Sequence, residues 1–312
     1  MRTIYKEKII ANCGHVVVLK GGNSAERKIS LLSGDAVYQG LLRLGVHASV
    51  LDVSDTVVAD LERLKPDLAL IMLHGQGGED GTMQGLLEVL KIPYTGSGVL
   101  ASALAMDKAK SKLIWQRLEL KTADFVMLNE ASDWQALIDR FEVIVVKPVS
   151  GGSSLGIAIV KDAAGLKKQF EIASGFDSEV MAEKCVIGKE FSVGVIEDQL
   201  LPAVQLNTKR DFFDFDAKYV DEDTEIICPA PLNDEKQKEL NKLVRAAYAS
   251  LGCKGLARVD VMQDESGEFY LLELNTIPGM TDHSFVPVAA KKSGIDFDDL
   301  LLTVLELEQA AN

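Results

Sequence analysis

Apolar residues recur along this chain in two periods. Short unbroken runs, Val16 to Leu19 and Leu68 to Leu73, read as buried strands. Between them, Glu26 to Leu44 repeats its apolar positions at helical spacing through Ile29, Leu32, Val37, Leu41 and Leu42. With a further strand over His47 to Val53, this alternation predicts an open parallel sheet, whose ligands sit at the carboxyl ends of its strands. Gly21 and Gly22 make the exit from the first strand, and Ser24 is the expected cap of the helix. The middle of the chain predicts a helix from Met106 to about Leu118 and strands over Val143–Val146, Ile157–Val160 and Glu179–Cys185. Strands over Phe191–Val195 and Leu201–Gln205 follow, then a helix from Leu232 to Leu251 and a last amphipathic helix ending near Glu306.

The sharpest pattern lies between Leu256 and Asn275. Two period-2 runs flank a polar turn containing Gly267, which reads as a β-hairpin. In the second run Tyr270, Leu272 and Leu274 are expected on one face, Glu273 and Asn275 on the other. A register symmetric about the turn sets Asp260 opposite Glu273 and Arg258 opposite Asn275. Like charges directly opposite are destabilising unless compensated. Arg258 supplies part of that compensation. A hard divalent cation supplies more, because Mg²⁺ takes carboxylate oxygens and completes its shell with water and phosphate. The hairpin by itself is equally compatible with solvated acids on an exposed face. Beyond it, Pro278 and Gly279 force a turn that presents Thr281, His283 and Ser284.

Two other segments are glycine-rich beyond what a connector needs. His74-Gly-Gln-Gly-Gly-Glu-Asp-Gly81 combines four glycines with His74 and two acids, so the backbone can approach a ligand closely. Lys147-Pro-Val-Ser-Gly-Gly-Ser-Ser-Leu-Gly156 ties two strands through a loop rich in N–H and O–H donors, suited to phosphate oxygens. Lys147 adds a point charge at its entrance. Neither GxGxxG nor GxxxxGK[ST] occurs after the first strand, which excludes a Rossmann fingerprint and a P-loop there. For Glu26 the plain alternative is a first-turn acid favouring the helix dipole.

Composition narrows the setting. The chain has 312 residues, room for two or three domains, with 47% hydrophobic and 26% charged residues. Its net charge, 33 − 47 = −14, argues against nucleic-acid or anionic-membrane partners. No apolar run is long enough to span a bilayer, and residues 1–14 lack a signal-peptide core. Cys13, Cys185, Cys228 and Cys253 are scattered without zinc spacing, so free thiols in a reducing cytoplasm are expected.

The segments RVD and LLELNTIPGMT, followed by HSFVPVAA, resemble the metal-binding end of the ATP-grasp ligases, and specifically the D-alanine–D-alanine ligase family. Motif by motif the resemblance covers all but about the first ten residues. It implies an α/β fold of three domains, with an N-terminal substrate-binding domain (1–105), a central domain (106–190) and a C-terminal domain (191–312). The last two would sandwich ATP, and residues 208–223 would form a lid.

The resemblance also implies roles. Glu26 and His74 would orient the first D-alanine, and Ser284 with the Phe285 amide would take the second one's carboxylate. Lys108, Lys147 and Lys218 would meet ATP phosphates, with Ser153 and Ser154 in the closing loop. Glu183 would meet the adenine amino group, Cys185 and Val186 the base, and Glu190 the ribose. Asp260, Glu273 and Asn275 would hold two Mg²⁺ or Mn²⁺ ions, while Arg258 and the Gly279 amide stabilise an oxyanion. Tyr219 would join Glu26 and Ser153, and Tyr at this position resembles the members that make the dipeptide rather than D-alanyl-D-lactate. A cytoplasmic homodimer in peptidoglycan precursor synthesis is what the family suggests. The chain departs from the family loop at Ser150-Gly151, where an Arg-Glu pair is expected. That departure is the one feature favouring a nucleotide-binding protein without turnover; a different acceptor, another amino acid or a hydroxy acid, is the other alternative.

Overall fold

The computed structural model describes residues 2–152, 155–207 and 225–310. Three sheets organise the described residues. In the first, β1 (Val16–Gly21) lies between β2 (Ala48–Val53) and β3 (Leu68–Ile71), parallel to both. The apolar run Val16–Leu19 is fully buried because helices cover both faces of a parallel sheet. Chain order reverses between β1 and β3, so the crevice at their carboxyl ends is the site a ligand would use. The helix Arg27–Leu44 leaves that crevice with Glu26 at its N-cap, not Ser24. Ser24 instead closes the preceding turn: its hydroxyl donates to the His74 carbonyl (2.6 Å) and accepts from the Glu26 amide (3.1 Å). A hydroxyl committed to a neighbouring loop is not available as a helix cap.

The second sheet runs β4 (Phe125–Leu128), β7 (Val180–Lys184), β5 (Ile144–Pro148), β6 (Ala158–Val160), all antiparallel. The third contains β8 (Gly188–Ile196), β9 (Gln199–Leu200), β10 (Val204–Asn207), β11 (Glu225–Ile227), β12 (Leu256–Asp264) and β13 (Phe269–Asn275). Here β8 is central, paired with β10 on one side and β12 on the other.

The predicted register holds at the functional end of the β12–β13 hairpin: Arg258 faces Asn275 and Asp260 faces Glu273. Beyond that a β-bulge intervenes, and Val261 pairs with Leu271, leaving Leu272 as the extra residue. The bulge corrects the expected facing of β13. One inserted residue inverts the alternation, so Phe269 and Leu271 join Leu274 in the core while Tyr270 and Leu272 are only partly buried.

The cores cross the segments. The helix Lys108–Arg117 sends Trp115 into the core of the third sheet. The helices Phe285–Lys292 and Phe297–Ala310 return to pack on the first sheet. A helix that the sequence reading did not anticipate, Arg2–Asn12, lies against the last of these: Lys6 pairs with Asp299, and Gln309 donates to the Ile9 carbonyl at 2.8 Å. Among the described residues no helix is long and apolar enough to cross a membrane, and all four cysteines are unpaired.

Candidate active site

Four segments meet at the carboxyl end of the first sheet: the turn 21–26, the loop 74–81, the β12–β13 hairpin and the turn 278–284. Together they line one cavity in which Glu26, His74, Glu79, Arg258, Gly279 and Ser284 face the same space. A second cavity adjoins it, shares Glu26, Glu79, Glu273 and Asn275, and adds Lys108 and Gly151.

Asp260 is the most constrained group. It is buried and accepts from Ser192 Oγ (2.7 Å), Arg258 Nη2 (2.8 Å), Arg258 Nε (3.0 Å) and Asn275 Nδ2 (3.1 Å). Arg258 lies two residues away on the same face of the strand, so the alternation of the chain builds this pair. The guanidinium also sits 5.6 Å from the centre of the Phe285 ring. Glu273 lies 3.3 Å from Lys108 Nζ, whose other partner is the Gly151 carbonyl. Among the described residues no three of His, Cys, Asp and Glu gather into a metal-holding group. A cation here would therefore rest on two carboxylates, the Asn275 amide and oxygens from outside the chain. That donor set is all hard oxygen, gathered on one face by the hairpin register, and fits a hard divalent ion.

The loop 74–81 is held from within and from across the molecule. Glu79 accepts from the Gly75 amide (2.8 Å) and the Ile277 amide (3.4 Å), fastening this loop to the turn that carries Gly279. Burial, reinforced by the Glu26 carboxylate, pushes its carboxyl up to about 8. His74 is buried, and burial with the nearby Arg258 charge lowers its imidazole to about 4, so it is neutral at pH 7. Ser33, fully buried on the helix Arg27–Leu44, lies 3.3 Å from His74 Nε2 and accepts from the Met280 amide at 3.1 Å. Gly279 stands beside Ser284: a Cβ built on it would fall 2.9 Å from Ser284 Oγ. Ser284 occupies the N-cap of the helix Phe285–Lys292, yet its hydroxyl makes no cap bond; it meets the Thr281 amide (3.0 Å) and hydroxyl (2.9 Å).

The glycine-rich loop reaches the same acids. A Cβ on Gly152 would fall 2.1 Å from Glu26 Oε2, so a larger residue there would push the Glu26 carboxylate aside. Ser153 and Ser154, together with Lys218, Tyr219 and the expected lid at 208–223, lie outside the described residues. Lys147 is buried, and its ammonium is paired with Glu183 Oε1. Glu183 has a second partner, Lys112, whose Nζ lies 2.9 Å from Oε2. Burial works against charge on Glu183, but the two ammoniums prevail and hold its carboxyl below the usual range. Cys185 follows at the end of the strand, its amide donating to the Val143 carbonyl at 2.9 Å, with Val186 half-buried beside it. Glu190 lies on β8, opposite Leu206 and Met262.

Sequence reading missed Ser33, Glu79, Lys112 and Ser192. Glu79 stood inside a motif already singled out. Lys112 had a signal as well, being one helical turn from Lys108 and on its face, whereas Lys110, two residues on, is not.

Comparison with known proteins identifies the family. Residues 47–97 match the family described as D-ala D-ala ligase N-terminus, and residues 114–306 that described as D-ala D-ala ligase C-terminus. The D-alanine--D-alanine ligase of Saccharophagus degradans is 49% identical over 98% of both chains, and that of Chromohalobacter salexigens 47% identical over 94% of both. The crystal structure of the Bacillus anthracis D-alanine--D-alanine ligase complexed with ATP superposes with a TM-score of 0.84 at 32% identity, covering 96% of this chain and 98% of that one. The chain belongs to the D-alanine–D-alanine ligase family, enzymes of the ATP-grasp fold.

Proposed function

We propose that this protein joins two D-alanines at the expense of ATP, through an acyl phosphate, to supply a peptidoglycan precursor. The observation that carries the reading is the hairpin register, which gathers Asp260, Glu273 and Asn275 on one face with Arg258 among them. An amine and a carboxylate do not condense unaided in water, so the first carboxylate must be activated. ATP transfers its γ-phosphoryl group to that carboxylate, the second amine attacks the acyl carbon, and the tetrahedral intermediate expels phosphate.

The residues divide this work. Glu26 and His74 orient the first D-alanine, a neutral imidazole being able to accept or donate without adding charge. Ser284 and the Phe285 amide receive the second substrate's carboxylate at a helix N-terminus. Arg258, its plane fixed by three bonds to Asp260, and the Gly279 amide receive the oxyanion. One such preorganised donor contributes roughly 3 kcal/mol to the transition state. Lys108, Lys147, Lys218, Ser153 and Ser154 serve the phosphates, while Glu183, Cys185, Val186 and Glu190 serve the nucleoside. Asp260, Glu273 and Asn275 would hold two Mg²⁺ or Mn²⁺ ions, which when bound neutralise charge on the β- and γ-phosphates. The approach of Gly152 to Glu26 supports a shut site in which Tyr219 and Ser153 meet that acid.

The test is phosphate release from ATP with Mg²⁺, comparing D-alanine, L-alanine, and D-alanine with D-lactate. Release with D-alanine alone, in step with dipeptide, is expected. Release only with another amino acid would overturn the substrate, and no release with any would overturn ligase turnover.

A further inference from the structure

Lys112 is the most deeply buried ammonium among the described residues, at 0% exposure, and no step above uses it. A charge in that position is costly unless it is paired and hydrogen-bonded. It has both. Glu183 Oε2 lies 2.9 Å away, and Thr122 Oγ1 accepts a hydrogen bond from the ammonium. Thr122 in turn donates to the Leu271 carbonyl at 2.7 Å, and the Leu271 amide donates to the Lys121 carbonyl at 2.9 Å. Leu271 lies at the bulge of the hairpin that carries Glu273. The result is a continuous polar path: Lys147, Glu183, Lys112, Thr122, and then the backbone of β13. It runs from the second sheet into the third, and its one fully enclosed cation is Lys112.

The two buried lysines of this helix serve opposite ends of the site. Lys108 and Lys112 are one turn apart, an arrangement of like charges that is unfavourable on a helix. Each is matched by its own acid, Lys108 by Glu273 and Lys112 by Glu183. Lys147 already neutralises Glu183, so a second cation is not needed for charge balance alone. Its geometric effect is different. Glu183 is hydrogen-bonded at Oε1 by Lys147 and drawn at Oε2 by the Lys112 charge, and a carboxylate held from two elements in this way keeps one orientation, whereas one held at a single oxygen can rotate.

We propose that Lys112 is a positioning residue for nucleotide selection: it fixes the plane of Glu183 and, through Thr122, ties that carboxylate to the hairpin bearing Glu273 and Asn275. The proposal rests on the reading of Glu183 as the partner of the adenine amino group. Lys112 itself touches neither nucleotide nor reacting atoms. Loosening Glu183 weakens discrimination of the base and leaves phosphate binding, which other residues supply, largely intact.

The experiment compares KM and kcat for ATP and for inosine triphosphate, which carries a carbonyl in place of the amino group, in wild type, Lys112→Met, Thr122→Val, Glu183→Gln and the double variant Lys112→Met/Glu183→Gln. Wild type is expected to prefer ATP through KM. Lys112→Met should reduce that preference about tenfold, the loss typical of one charged hydrogen bond, by raising KM for ATP while KM for inosine triphosphate stays put. The double variant should discriminate no worse than Glu183→Gln alone. If wild type does not discriminate, the adenine reading of Glu183 falls and takes the proposal with it. If wild type discriminates and Lys112→Met does so equally, the proposal falls while the reading of Glu183 stands. A parallel rise in KM for both nucleotides would also overturn it, as a general structural effect. Should Lys112→Met not fold, Thr122→Val carries the test with both charges in place: a reduced preference supports the proposal, an unchanged one overturns it.

Discussion

Arg258 answers two demands with one side chain. It compensates the buried Asp260, and in the proposed reaction its fixed plane would offer donors to an oxyanion. Lysine could meet the first demand but not the second, because an ammonium lacks the planar fork. Arg258→Lys should therefore lower kcat about 10²–10³-fold, the loss recorded for one preorganised oxyanion donor, with KM for ATP little changed; steady-state kinetics checks the split. Asp260→Asn should abolish turnover yet leave nucleotide binding measurable by calorimetry, since Lys147 and Glu183 stand elsewhere; undiminished turnover would refute the metal assignment. His74 carries a pH signature. Its folded imidazole is lowered to about 4 from the usual 6.5. As pH falls below 6.5 the unfolded chain takes up a proton that the folded one refuses, so stability is lost between 6.5 and 4. At pH 5 this amounts to about 2 kcal/mol. Urea unfolding at pH 7 and pH 5 should show wild type losing about that much more than His74→Gln does.

At the scale of elements, the site was legible where its logic is local. Alternation along β12 and β13 placed Asp260, Glu273, Arg258 and Asn275 together, because two residues is the period of a strand and the turn fixed the register. The same logic failed at the next residue along each strand. A bulge is decided by how the strand must twist against its neighbours, and nothing in FYLLELN marks which residue will be the extra one. Leu271 is wholly buried and Leu272 is not. Leu271→Ala should cost about 2–5 kcal/mol and Leu272→Ala about 1 kcal/mol or less; equal losses in chemical denaturation would contradict the bulge. Ser33, and Lys112 beyond its spacing from Lys108, were missed for a different reason. Each is an unremarkable polar residue on a helix, and its role is set by a partner far along the chain: the Met280 amide for Ser33, Glu183 for Lys112. Ser24 failed as a cap because the His74 carbonyl, fifty residues on, claims its hydroxyl.

At the scale of the molecule, sequence order and spatial order diverge. The last helix and the first both belong to the core around the N-terminal sheet, with Ile9 and Leu301 buried in it. Ile9→Ala should cost about 2–4 kcal/mol of stability and leave KM for both substrates unchanged, because that packing lies away from the crevice; unfolding and kinetics on one sample test both halves. The attachment of the second sheet to the third has a mechanical meaning. The chain enters the second sheet just after Thr122, which is bonded to Leu271, and leaves it between Lys184 and Gly188. Two such points define a hinge axis along one edge. Lys184 is at the axis, while the glycine-rich loop springs from Pro148, opposite Val180 at the far end of β7. At about 3.3 Å per residue that is a lever arm of roughly 13 Å. A rotation that barely displaces Glu183 therefore carries the loop several ångströms. The lever is latched at its tip by Lys108, whose amide donates to the Val149 carbonyl and whose ammonium donates to the Gly151 carbonyl. Anything that draws the Lys108 ammonium elsewhere loosens the latch at the end where displacement is greatest.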